Sequence, residues 1–360
     1  MIDHLFAVVM AGGGGTRLWP MSRKQHPKQT LSLTGARTLF QIAVDRLLPL
    51  MSLERIFVVT TAEQVDSLAA QYPQIPQSNF IIEPQGRGTA SCIGLSALIL
   101  GQRDPQATMI VVTADHYIAD VETFGKSLRA AREVANEGYL VTLGIEPTQP
   151  STGYGYIEQG ERLGALDGFD YYKVEKFTEK PDPQTARRFL DAGNYAWNSG
   201  MFVWRVDRIL DEIRQQMPEL NGVLETLSDV EGTEEFKHTL AQLWPSLPKE
   251  TIDYGVMENA PRVAVIPADI GWSDIGTWAS VKELYSDDEA GNVMLGDTLD
   301  LDSENTMILA DGERLIATIG LEDMIVIDTP DALLITRKDQ SQRVKEIVQH
   351  LKDRDRDEML

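Results

Sequence analysis

Residues 11–20 read Ala-Gly-Gly-Gly-Gly-Thr-Arg-Leu-Trp-Pro, with Ser22, Arg23, Pro27 and Lys28 close behind. Consecutive glycines let main-chain N–H groups approach phosphate oxygens with no Cβ in the way. Ala11, Gly12, Gly13, Gly15 and Thr16 are therefore candidate nucleotide-cradling positions. Arg17 adds a bidentate donor and Lys28 a mobile point charge. The competing reading is a flexible surface loop. No Gly-Lys-Ser/Thr follows, so the run is not a Walker A motif, and its glycine spacing fits a dinucleotide fingerprint poorly.

Acidic and polar residues recur in similar settings. Asp115, in Val111-Val-Thr-Ala-Asp-His116, sits just past an apolar run, where a carboxylate can hold Mg²⁺ against a triphosphate. A helix cap is the alternative, and His116 reads as structural. Asp274, in Gly271-Trp-Ser-Asp-Ile-Gly-Thr-Trp278, is a second candidate metal ligand. Two carboxylates on separate loops opposite a glycine loop point to a metal-assisted site more strongly than one does. Glu179 and Lys180, in Glu175-Lys-Phe-Thr-Glu-Lys-Pro181, could accept from sugar hydroxyls and neutralise a phosphate, or could form a solvated charged edge. Asn198, beside Gly200, could bind hydroxyls, while Trp197 reads as core. Glu83, in Glu83-Pro-Gln-Gly-Arg-Gly-Thr-Ala90, could accept from a guanine N1–H and 2-amino group. Thr89 in that segment also suits a cap or turn.

These residues need strands and helices to hold them. Phe6–Met10, Ile56–Thr60, Phe80–Ile82, Met109–Thr113 and Leu140–Leu143 have the continuous apolar, β-branched character of buried parallel strands. Helical patterns lie near Thr38–Leu48, Ala62–Gln71, Ala90–Leu100 and Val121–Asn136. Alternation of the two predicts right-handed βαβ units and a doubly wound, Rossmann-like α/β sheet, mixed but mainly parallel. Ligands in such sheets bind beyond the carboxyl ends of the strands, so the loops after Met10, Ile82 and Val112 are the expected site.

Residues 150–285 predict strands at Gly155–Glu158, Tyr172–Phe177, Gly200–Trp204 and Arg262–Ile266, with helices between Val206 and Leu243. They read as an insertion covering one side of the cleft. After about Asp287 short apolar pieces recur: Val293–Leu295, Thr306–Leu309, Leu315–Ile319, Met324–Ile327 and Ala332–Ile335. These predict a small all-β module ending in a helix at Gln340–Leu351. The expected division is a catalytic domain at 1–286 and a β-module at 287–360.

Composition narrows the chemistry. The formal net charge is −22, which argues against binding nucleic acid through its phosphates. An anionic ligand must therefore be met by a local basic site. No apolar run approaches the roughly 20 residues that span a bilayer, and the apolar start runs into the glycine loop rather than a cleavage site. Cys92 is the one cysteine, which excludes disulfides within the chain and fits a reducing, cytoplasmic setting.

Taken together, GGGGTRLWPMSR…PKQ (Gly12–Gln29), EPQGRGTA, TADH, FTEKP, WNSGMF and GWSDIGTW resemble the mannose-1-phosphate guanylyltransferases, also called GDP-mannose pyrophosphorylases. The motifs fall in that family's order and cover nearly the whole chain. The LWPMSR and PKQ segments resemble this branch rather than thymidylyl- or uridylyltransferases. Gly320–Ala332 resembles part of the family's short left-handed β-helical module.

The resemblance implies transfer of GMP from GTP to mannose 1-phosphate, giving GDP-mannose and pyrophosphate. It implies that Arg17 and Lys28 bind the triphosphate and that Asp115 and Asp274 hold Mg²⁺. Lys180 would meet the sugar phosphate, and Glu179, Asn198 and the Tyr154–Gly155 backbone the mannose. The glycine loop and Glu83 would read the nucleotide, and relatives are often homodimers. One departure is Gly88, where the family commonly carries Asn, so a side-chain contact near the base or ribose is expected to be absent. The cupin-like domain of longer relatives is not in this sequence, and no phosphomannose isomerase activity is expected. The competing readings are a relative using another nucleotide or hexose phosphate, and a non-catalytic sugar-nucleotide-binding paralogue.

Overall fold

A short, unbroken apolar run rich in β-branched residues suits a strand buried on both faces of a sheet. Leu5–Met10 does so, as a strand buried from its first residue to its fifth. The computed structural model describes residues 3–13 and 15–360. Gly14 of the glycine run therefore lies outside the described residues. The chain forms two compact units. One comprises Met1–Gly12, Ala43–Ala114 and Ile118–Trp272, the other Gly13–Ile42, Asp115–Tyr117 and Ser273–Leu360.

In chain order the strands up to residue 273 begin with β1 (Leu5–Met10), β2 (Ile56–Thr61), β3 (Phe80–Glu83), β4 (Thr108–Thr113), β5 (Tyr117–Ile118) and β6 (Leu140–Ile145). They continue with β7 (Gly155–Leu166), β8 (Phe169–Glu179), β9 (Tyr195–Arg205), β10 (Val263–Pro267) and β11 (Trp272–Ser273). The two-residue strands β5 and β11 pair with each other. The other nine form one sheet, the frame of the first unit, in the spatial order β3-β2-β1-β4-β9-β6-β10-β8-β7. Only β8 and β9 run against the others, so the sheet is mixed and mainly parallel. The predicted strands 6–10, 56–60, 80–82, 109–113 and 140–143 all belong to it.

The middle of the chain departs from expectation. Its strands are not a separate insertion. β9 enters the sheet between β4 and β6, and the hairpin β7–β8 extends one edge. Strand alternation is masked at Met201–Trp204 because β9 is buried on both faces there, as happens where helices cover a sheet. The helix Thr89–Arg103 is buried at every position from Ala90 to Leu98. A helix that is apolar all round is a core helix, and this one packs with Ile209, Ile213, Leu220 and Leu224.

The second unit carries the β-helix-like module: β12 (Val293–Leu295), β13 (Thr298–Leu301), β14 (Met307–Ala310), β15 (Ile316–Ile319), β16 (Met324–Asp328) and β17 (Leu333–Arg337). β12, β14 and β16 stack in parallel, and β17 closes that face antiparallel to β16. β13 and β15 pair in parallel as a second face. Partners in β13–β15 and in β14–β16 lie eighteen residues apart. The same step relates Asp302 to Gly320 and Asn305 to Asp323, all with positive φ. These are the corners where each coil turns. β13 leaves little trace in the sequence, because Thr-Leu-Asp-Leu is short and exposes both leucines. The predicted terminal helix starts later than expected, at Val344, after a 3-10 stretch over Lys338–Arg343. Val344 and Val348 of this helix, Val344–Asp353, meet Val293, Met307, Ile325, Ile327 and Leu334 in one core, which also takes in Leu18, Trp19 and Trp278.

Candidate active site

The glycine run places its later half in the second unit. Gly15 has φ 57 and caps a short 3-10 turn, Thr16–Leu18. A Cβ at Gly15 would collide with the Lys28 side chain, so glycine is required for Lys28 to pass beneath the turn. Ser22 Oγ donates to the Gly15 carbonyl at 2.7 Å and holds the turn from below. Trp278 Nε1 donates to the Trp19 carbonyl at 2.9 Å, tying the turn to the segment that carries Asp274. Gly12 and Gly13 differ from Gly15, because a Cβ at either meets nothing within 4 Å. The space beside their backbone is open.

Gly15, Thr16, Arg17, Leu18, Lys28, Asp115, His116, Asp274, Gly276 and Lys345 line one cavity of about 320 Å³, all of it within the second unit. Lys28 is only 6% exposed. Its Nζ donates to Asp115 Oδ2 at 2.9 Å and to the Asp274 main-chain carbonyl at 2.5 Å. Burial acts to raise the Asp115 carboxyl, but the Lys28 and His116 charges and the Lys28 hydrogen bond outweigh it and hold it below its ordinary value. Asp115 is thus kept ionised. Asp274 Oδ1 accepts from the Gly276 N–H at 3.0 Å. Arg17 Nε is buried with no hydrogen-bond partner among the described residues. A buried, unsatisfied donor on a charged group is costly unless a ligand supplies the acceptor. The cavity is therefore built for an anion.

The same cavity suits a hard divalent cation. Among the described residues no cluster of three or more His, Cys, Asp or Glu is arranged as a closed metal site. Magnesium asks for less, since it is held by one or two carboxylates together with substrate phosphates. Asp115 and Asp274 are the two carboxylates of the lining that could serve in this way.

The first unit brings the remaining candidates into two groups. Glu83 ends β3, is 5% exposed, and leaves Oε1 without a partner among the described residues. Burial raises its carboxyl to about 7, against hydrogen bonds from Trp244 and the Arg87 backbone that lower it. Gly88 has φ 91, and a Cβ there would collide with the Glu250 backbone. The Glu250 N–H donates to Arg87 O at 3.1 Å, and Ala90 N–H to Glu250 O at 3.2 Å. The departure at position 88 thus has a structural cause: backbone from residue 250 fills the place of a side chain. Thr89 Oγ1 accepts from the Ile252 N–H at 2.9 Å, pinning the same segment.

In the second group Tyr154, Gly155, Glu179, Lys180 and Asn198 converge around β7, β8 and β9. A Cβ at Gly155 would strike Glu179 and come into ordinary contact with Asn198. The Lys180 N–H donates to Tyr154 O at 3.2 Å, and Lys180 takes a positive φ of 44, a strained setting for a non-glycine residue. Its ammonium pairs with Glu179. Tyr154 sits edge-on to Trp197 and Trp272 at 4.9 and 5.3 Å between ring centres. Asn198 Nδ2 donates to Asp253 Oδ1 at 2.6 Å. Sequence reading misses Asp253, which lies on a π-helical turn, Asp253–Met257, beyond any strand end. Burial raises its carboxyl, with the Asn198 bond opposing and the Glu179 charge adding. It misses Lys345 as well, because nothing in the sequence distinguishes that lysine from the other charges on its helix.

A mainly parallel α/β sheet and a cavity lined by Arg17, Lys28 and two carboxylates beside a glycine turn are compatible with nucleotidyl transfer, and the comparisons with known proteins give the class. Residues 6–291 match the family model "Nucleotidyl transferase", and residues 296–351 match "MannoseP isomerase/GMP-like beta-helix domain". A mannose-1-phosphate guanylyltransferase of Escherichia coli is 39% identical over 98% of this chain and 76% of its own length. An alginate biosynthesis protein of Pseudomonas aeruginosa is 37% identical over 98% of this chain and 73% of its own. A solved structure from Thermus thermophilus, described as a mannose-1-phosphate geranyltransferase, superposes with TM-score 0.88 at 35% identity, covering 97% of this chain and 99% of that one. The chain belongs to the mannose-1-phosphate guanylyltransferase family of nucleotidyltransferases. Among the described residues no helix is long and apolar enough to cross a membrane.

Proposed function

We propose that the protein transfers GMP from GTP to mannose 1-phosphate, releasing pyrophosphate and GDP-mannose. The observation that carries this reading is the cavity lined by Arg17, Lys28, Asp115 and Asp274 beside the Gly15–Leu18 turn. Family membership supplies the substrate pair. A phosphate oxygen of mannose 1-phosphate attacks the α-phosphorus of GTP. One P–O bond forms as the bond to the bridging oxygen breaks, and pyrophosphate leaves in line. The nucleophile is already an anion, so no general base is required.

The obstacle is repulsion between two phosphates. Arg17 and Lys28 offset it on the triphosphate, with N–H groups of the glycine run completing the cradle. Lys180 offsets it on the sugar phosphate. Positioning and electrostatic stabilisation each contribute several kcal/mol in reactions of this kind, on the order of 3–10. Asp115 and Asp274 would hold Mg²⁺, which supplies charge neutralisation to the phosphates when bound. Lys28 keeps Asp115 ionised for that role. Glu179 and Asn198 accept from and donate to mannose hydroxyls, and Asp253 fixes the Asn198 amide. Glu83 Oε1 is the acceptor for guanine N1–H and the 2-amino group, and Gly88 leaves base recognition to backbone and carboxylate. Residues 1–286 act as the catalytic domain and 287–360 as the module. A cytoplasmic location and a homodimer complete this reading.

Asp115→Asn keeps the shape and removes the charge. It is expected to cut kcat by about a hundredfold or more with the fold retained, while the melting temperature falls because buried Lys28 loses its charged partner. Turnover within a few-fold of wild type would remove Asp115 from the chemistry.

A further inference from the structure

Lys345 is the one residue of the cavity contributed by the C-terminal helix. That helix, Val344–Asp353, packs against the Thr16–Leu18 turn, and Val344 and Val348 bury their side chains in the same core as Leu18. Lys345 is thereby brought to the cavity wall beside Gly15, Arg17 and Lys28. It is exposed. The neighbouring carboxylate, Glu346, is engaged by Arg343 at 3.0 Å, and Lys345 makes no ion pair of its own among the described residues. Lys28, in contrast, is committed to Asp115 and the Asp274 carbonyl.

The charges of the lining residues then decide the matter. Among the lysine, arginine and carboxylate side chains of the lining, Arg17 and Lys28 match Asp115 and Asp274 in number. Lys345 adds a further positive charge to that set, in a chain whose formal charge is −22. Added positive charge at the cavity favours a polyphosphate, since the protein as a whole is strongly acidic.

We propose that Lys345 is a third polyphosphate-binding cation, so that the terminal helix of the β-helical module completes the triphosphate and pyrophosphate cavity. The inference rests on the functional reading above and adds to it a binding role for the module. An exposed ammonium is a mobile, strongly hydrated charge, and its contribution is sensitive to salt.

Binding of inorganic pyrophosphate to the full chain, measured by calorimetry in metal-free buffer, separates the two levels. Lys345→Gln is expected to weaken pyrophosphate about tenfold at low salt, with the gap narrowing as salt rises. Lys345→Arg should retain most of the affinity. Lys352→Gln, on the same helix but outside the cavity, removes equal charge and should bind as wild type. In turnover assays Lys345→Gln should raise KM for GTP while kcat changes little. If wild type binds pyrophosphate and Lys345→Gln binds it equally well, the role of Lys345 is overturned and the cavity reading stands. Equal weakening in Lys352→Gln would assign the effect to overall charge and likewise overturn it. If wild type binds no pyrophosphate, both the inference and the reading of the cavity fail.

Discussion

The glycines of one loop serve two different ends, and substitution separates them. Gly15 is fixed by φ 57 and by Lys28 lying against it. Gly15→Ala should therefore lower unfolding free energy by about 2 kcal/mol or more. Gly13 has open space beside it, so Gly13→Ala should leave stability within about 0.5 kcal/mol while raising KM for GTP about tenfold through lost access to the backbone. Denaturant melts and initial-rate kinetics on the two variants check this pair. A stable Gly15→Ala with normal kinetics would contradict it. Glu83 carries a pH signature. Its folded value of about 7 lies above the ordinary 4.5. The folded state thus binds the proton more tightly than the unfolded state. The stability this gives is complete below pH 4.5 and is lost as pH rises through 7. The loss is at most about 3 kcal/mol. Glu83→Gln should flatten that fall in a melting series from about pH 4.5 to 8, and an unchanged slope would argue that Glu83 titrates normally.

At the scale of elements, strands are legible where burial on both faces forces unbroken apolar runs, as in Leu5–Met10 and Thr108–Thr113. The loops that follow those strands are legible for the same reason, which is why Arg17, Lys28 and Asp115 stand out in the sequence. Strand order is not legible. The insertion of β9 between β4 and β6 depends on contacts between residues far apart in the chain, such as Met109 with Trp204 and Val141 with Val203, and no local pattern encodes them. Asp253 and Lys345 escape for a related reason, since each reaches its neighbours only through tertiary packing. The module's coils are held by local stereochemistry instead. Gly296 has φ 89, and a Cβ there would collide with the Ala310 carbonyl, whereas Gly320, with φ 62, has nothing near it. Gly296→Ala should cost about 2 kcal/mol or more, and Gly320→Ala only about 1. Chemical denaturation of both variants tests the order, and equal costs would show that the close approach at Gly296 relaxes freely.

For the molecule as a whole, a strongly acidic protein has to bring two anions together. In the proposed reaction Arg17 and Lys28 offset that repulsion at one cavity, where Asp115 and Asp274 would hold a cation. Family membership rests on similarity along nearly the full chain, whereas the choice of nucleotide and sugar is a proposal. Pyrophosphate release by the purified chain with magnesium, across GTP, ATP, UTP and dTTP paired with mannose or glucose 1-phosphate, tests that choice most directly. GTP with mannose 1-phosphate is expected to give the highest kcat/KM, with one GDP-mannose formed per pyrophosphate. Release that is absent from every pairing, or faster with another nucleotide or with glucose 1-phosphate, would contradict the assignment.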